Sequence, residues 1–111
     1  MQPQNMQVAG DTALQSDVLE SLTSLHNYRR WVASLVYPYL GNNPIELGSG
    51  HGDYADEWIS MGQSRITLTE IDPQRLKYLA DRFRQSREVS IRPHVGREHL
   101  GSYSSFVAVN V

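Results

Sequence analysis

Cysteine is absent from the 111 residues, which removes disulfides, thiolate metal sites and cysteine nucleophiles together. The absence fits a reducing compartment, and a cytoplasmic location is expected. No apolar run approaches the ~20 residues of a membrane-spanning helix, and the start MQPQNMQVAG has neither the basic nor the apolar region of a secretory signal. No membrane partner is expected. An excess of one charge is also missing: ten Lys and Arg stand against twelve Asp and Glu, a formal net charge of -2. Nothing there demands nucleic acid or an anionic surface, so no nucleic-acid partner is expected. Length is the last shortage. A chain this small forms at most one small domain and buries only about two thirds of its unfolded surface, too little for a full-sized enzyme core.

What is present is periodicity. Residues 1–15 are rich in Gln, poor in large apolar residues and without period, which predicts a mobile N-terminal tail. Over 16–43 a helical cap is expected: Val18, Leu19, Leu22, Leu25, Trp31, Val32, Leu35, Val36 and Tyr39 recur at three- and four-residue spacing, as one or two amphipathic helices. Asn27 would cap the second of two, and Pro38 and Gly41 would end the helical region. Residues 44–111 then alternate strand and helix. PIELG reads as a buried strand, and the helix after the glycines carries Tyr54, Ala55, Trp58, Ile59 and Met61 on one stripe. RITLT reads as a second strand, and Asp72 and Pro73 as the cap and first position of a helix with Leu76, Leu79, Ala80 and Phe83 inward. EVSIR gives a third strand and SFVAVNV a fourth. Such alternation predicts an α/β fold with a mostly parallel, Rossmann-like sheet and helices on its faces.

The stretch PIELGSGHGDYADEW concentrates the chemistry. In a βαβ unit the turn after the first strand is where a nucleotide-like ligand sits, and glycines allow the backbone to approach it. Gly48, Gly50 and Gly52 make G-x-G-x-G. The dinucleotide fingerprint G-x-G-x-x-G would need glycine where Asp53 stands, and an anion at that helix N-terminus is a poor neighbour for a pyrophosphate. Glu46 adds a carboxylate suited to an ammonium group or another positive centre. A ribose-binding acid is expected at the end of the second strand, about 20 residues past the glycines. Glu70 stands there, while Asp72 is used as a helix cap.

Read in order, IELGSGHG, TEIDPQRL and SFVAVNV resemble motif I, motif II and the fourth-strand motif of class I S-adenosylmethionine-dependent methyltransferases, over roughly residues 25 to 111. The resemblance implies S-adenosylmethionine as cofactor. Glu46 would orient its amino end through the turn, with Gly48, Ser49, Gly50 and Gly52 lining it. Glu70 would hold the ribose hydroxyls, and Ile71 would lie beside the adenine. Asn110 matches a residue whose backbone lies near the methionine group, and Tyr28 in HNYRRW would reach its carboxylate. The family's sheet has seven strands ordered 3-2-1-4-5-7-6, and this chain supplies only 3-2-1-4, an incomplete, truncated cofactor-binding half. The family's acid after the third strand is missing as well, since Val95 or Gly96 takes its place. The implied enzyme is a methyltransferase with a small-molecule acceptor; no catalytic base is assigned. The exposed edge of the fourth strand would favour homodimers or other self-association. Two further readings stay open: an NAD(P)-type oxidoreductase half, and a non-catalytic cofactor-binding or interaction module.

Other residues have plainer readings. His94 and His99 with Glu98 are spaced H-x-x-x-E-H, which sets the imidazoles about 140° apart on a helix of 3.6 residues per turn, so no metal site is expected. His51 reads as a solvent-facing turn residue. Ser49 is not the centre of G-x-S-x-G, which excludes a hydrolase elbow. Arg75, Lys77, Arg82, Arg84, Arg87 and Arg92, interleaved with Asp81 and Glu88, read as a solvated face. Tyr28, Trp31 and Trp58 could stack on adenine or substrate, though aromatic residues on an apolar stripe are usually core.

Overall fold

The computed structural model describes residues 10–94 and 101–109, with side chains described from residue 14 onward. Helix α1 runs without a break over Gly10–Val36. It therefore takes in residues 10 to 15, which composition assigns to the tail, and it passes through Asn27, which caps nothing. Its end follows from Pro38, which lacks an N–H and disfavours helical geometry in the residue before it. The chain tightens there into a 3-10 turn, Tyr37–Tyr39, closed by the Leu40 N–H donating to the Tyr37 carbonyl at 3.2 Å.

Four strands follow, β1 (Pro44–Glu46), β2 (Ile66–Thr69), β3 (Val89–Arg92) and β4 (Ser105–Val107), with α2 (Asp53–Ser60) between β1 and β2 and α3 (Pro73–Arg82) between β2 and β3. They form one sheet in the order β3-β2-β1-β4, all parallel, with Ile45 beside both Thr67 and Phe106, and Leu68 beside Ile91. This is the expected order. β1 and β2 are buried along their whole length, because in a parallel sheet the helices of the crossovers cover both faces. Asp72 caps α3 as its position predicts, its carboxylate accepting from the Gln74 N–H at 2.9 Å.

The core gathers Ala33 from α1, Tyr54, Ala55 and Trp58 from α2, Ile66 and Leu68 from β2, and Leu79 and Phe83 at the end of α3. Trp58 is fully buried, and its indole N–H donates to the Ala33 carbonyl at 3.1 Å, which satisfies the polar end of a large apolar group. Trp58 is thus core, as read. Tyr28 and Trp31 are not: both are exposed on α1, their rings 6.1 Å apart. β4 is fixed at its start by serines. The Ser104 and Ser105 hydroxyls each donate to the Leu40 carbonyl at 2.7 Å, and the Ser104 N–H to the Asn43 carbonyl at 2.9 Å. Beyond β4 no strand pairs among the described residues.

Candidate functional site: the glycine turn and the cavity above it

The turn between β1 and α2 is held by backbone groups of the neighbouring strands. The Leu47 N–H donates to the Val107 carbonyl at 2.8 Å and the Ser49 N–H to the Thr69 carbonyl at 2.7 Å, while the Thr69 hydroxyl donates to the Glu46 carbonyl at 2.7 Å. Between these anchors the chain turns through positive φ at Gly48, Gly50 and Gly52. Two of these glycines do different work. A Cβ on Gly52 would run into the Phe83 ring, whereas a Cβ on Gly50 would meet nothing within 4 Å. Gly52 is there for packing; Gly50 keeps open space clear.

Glu70 closes the turn from the other side. Its Oε1 accepts from the Gly50 N–H at 3.0 Å, and its Oε2 accepts from the N–H groups of Ile71 at 3.1 Å and Asp72 at 3.3 Å. A carboxylate has roughly four acceptor sites. Three are filled by backbone amides, so about one remains for a ligand hydroxyl.

Glu46 is buried at the end of β1, with 2% of its surface exposed, and its Oε1 has no hydrogen-bond partner. Loss of hydration pushes its pKa up to about 7; the Ser49 hydroxyl pulls it partly down and the Asp53 charge pushes it further up. An unpaired buried carboxyl is costly unless protonated or met by a cation. Asp53, the first residue of α2, shows the opposite shift. The Arg82 guanidinium, donating to it at 2.8 Å, holds its carboxyl below the usual range, with burial opposing and the charge of Arg29 helping.

Arg82 also donates to the His51 carbonyl at 2.6 Å and pairs with Asp56 at 3.5 Å. It stands on an exposed face, as its place in the basic run suggests, and is also a brace reaching from α3 to the glycine turn. Truncating it in Arg82→Ala should lower stability by about 1 kcal/mol, since the carboxylates it meets are partly solvated. It should also return the Asp53 carboxyl toward its ordinary pKa. A carboxyl-detected NMR titration of Asp53 that did not move would show that the brace is absent in solution.

Above the turn lies a cavity of about 640 Å³ lined by Leu47, Gly48, Gly50, His51, Thr69, Glu70, Ile71, Arg75, Pro93 and His94. Four residues singled out from the sequence, Gly48, Gly50, Glu70 and Ile71, line it together. Others do not. Ser49 is buried within the turn, Glu46 is buried and absent from the lining, and Gly52 faces Phe83. Tyr28 is outside the lining, and Asn110 falls outside the described residues, as do Val95 and Gly96. His51 is exposed, as read, yet lines the cavity and stacks on Tyr78 with ring centres 4.6 Å apart. Arg75, Pro93 and His94 are cavity residues that residue type alone did not reveal. Their signal was positional, since all follow the carboxyl ends of β2 and β3, where open α/β sheets bind ligands. Among the described residues no group of three or more His, Asp or Glu side chains could hold a metal ion, and no helix is long and apolar enough to cross a membrane.

Neither a family model nor a curated protein matches the sequence. A structural match does exist: the crystal structure of "a putative RNA methyltransferase" from Pyrococcus horikoshii, with a TM-score of 0.50 and 16% identity over 62% of this chain. The chain has a class I methyltransferase-like fold. The matched region amounts to 36% of that protein's length. The match also corrects one expectation. A chain of this methyltransferase-like fold is described as acting on RNA, so a net charge of -2 does not justify excluding nucleic acid as a partner.

Proposed function

We propose that the chain is the cofactor-binding part of an S-adenosylmethionine-dependent methyltransferase. The observation that carries this reading is the space beside Gly50, kept free of atoms and facing a cavity that also receives the Glu70 carboxylate. The residues present fit the group: Glu70 offers a free acceptor site for a ribose hydroxyl, exposed Ile71 offers an apolar surface for a base, and Glu46 is a buried acid with one oxygen unpartnered. When bound, S-adenosylmethionine would supply a sulfonium methyl group open to in-line attack by an acceptor. The chain's own contribution is to bind and orient, which is where much of the rate in such reactions arises. The single free site on Glu70 is less than the paired ribose contact expected from sequence, so a ribose held through both hydroxyls would require the turn to move.

Isothermal calorimetry with S-adenosylhomocysteine tests the reading. Binding is expected, with none to NAD. Gly50→Ala should weaken it at least tenfold by filling the cleared space, while the positive φ costs the fold only about 1–2 kcal/mol. Binding of NAD without S-adenosylhomocysteine would overturn the methyltransferase reading, and unchanged affinity in Gly50→Ala would remove the observation on which it rests.

A further inference from the structure

The 27 residues of α1 extend about 40 Å at 1.5 Å per residue, yet of its described side chains only those in the last third are covered. From Leu14 to Tyr28 every described side chain is exposed, and burial begins with Arg29, Val32, Ala33 and Val36. Those four share a stripe with Leu14, Val18, Leu22 and Leu25, all within roughly 100° around a helix of 3.6 residues per turn. The apolar stripe is therefore continuous. The chain's own α2 covers its carboxyl end, and the amino end is bare, with Leu14, Val18, Leu19, Leu22 and Leu25 between 50% and 65% exposed. A free helix of this length is marginal in water without a surface to pack on.

We infer that the bare stripe of α1 pairs with the same stripe of a second copy of this chain, antiparallel about a two-fold axis near residue 20. Two-fold contacts need a self-complementary surface, and this one is close to a palindrome: the axis sets Leu14 of one copy beside Leu25 of the other, and Val18 beside Leu22. Antiparallel pairing also opposes the two helix dipoles. The five apolar side chains leave on the order of 500 Å² per copy in water, so pairing buries roughly 1,000 Å², the threshold for a specific interface. An anionic membrane fits less well. Membrane-surface helices carry basic polar faces, whereas residues 14–28 contain no Lys or Arg and include Asp17 and Glu20.

The absence of native cysteine makes the test direct. Sedimentation velocity on the full chain should show a dimer at about 100 µM, and Leu22→Asp should weaken dimerisation at least tenfold while leaving the cooperative thermal melt of the sheet in place. A single thiol in Ser21→Cys should then be joined by a short bis-maleimide into a covalent dimer, and one in Ser34→Cys should not. A wild-type monomer at that concentration would overturn the inference. So would cross-linking through Phe106→Cys on the edge of β4 in place of Ser21→Cys, or a dimer indifferent to Leu22→Asp.

Discussion

Glu46→Gln should make the protein more stable at pH 8 than the wild type, by up to about 3 kcal/mol, while changing little at pH 5. The sign follows from the raised pKa. Between the unfolded value of 4.5 and the folded value of about 7, the native carboxyl holds a proton that the unfolded chain has already released. Each pH unit across that window removes about 1.4 kcal/mol from the stability of the wild type. Above the folded value the loss is complete and stability no longer depends on this group. Glutamine does not titrate, so the variant keeps its stability through the same window. Denaturant melts of both proteins at pH 5 and pH 8 measure it, and parallel pH dependence would mean that Glu46 is solvated or paired in solution. The same carboxyl is a buried acid, one oxygen of which has no hydrogen-bond partner, that an ammonium group could neutralise. Under the proposed function, affinity for S-adenosylhomocysteine should rise from pH 6 to pH 8 in the wild type and lose that rise in the variant.

The parts of this fold that were legible in the sequence are those where one strong local pattern had a single outcome. The alternation of short apolar runs with amphipathic stretches predicts β1, α2, β2, α3, β3 and β4, and Asp72 and Pro73 mark a helix start that has the expected cap bond. The continuity of α1 was less legible, because Asn27 is an acceptable residue both at a cap and on a solvated helix face. The structure places it on an exposed face of one long helix. Roles that depend on long-range contact were not legible at all. Arg82 stands in a run of cations on an amphipathic helix, and only the packing of α3 against the glycine turn shows that it holds the His51 carbonyl and Asp53. Glu70 directly follows β2. That its oxygens are largely occupied by the amides of Gly50, Ile71 and Asp72 depends on how the two turns face each other.

The same distance between pattern and contact separates the glycines of the turn, and Gly52→Ala should show it most severely. Gly50 and Gly52 read alike in G-x-G-x-G, and both have positive φ, +59° and +82°. Alanine at either position costs about 1–2 kcal/mol for the left-handed backbone alone. At Gly52 the new methyl also meets Phe83 Cε2 and Cζ and, at 3.0 Å, Leu79 Cδ2, two members of the buried core. These atoms lie in a packed region with little room to yield, and overpacking adds about 1–3 kcal/mol. The sum, roughly 2–5 kcal/mol, is a large fraction of what a domain of this size has in total. Gly52→Ala is therefore expected to be largely unfolded, or to melt far below the wild type, whereas Gly50→Ala stays folded. Pairing the change with Phe83→Leu separates the two causes: the smaller side chain should restore the share due to the clash and leave the backbone share in place. Equal melting temperatures for Gly50→Ala and Gly52→Ala would show that Phe83 does not pack against the turn in solution, and with that the packing of α3 onto the amino end of α2 would have to be redrawn.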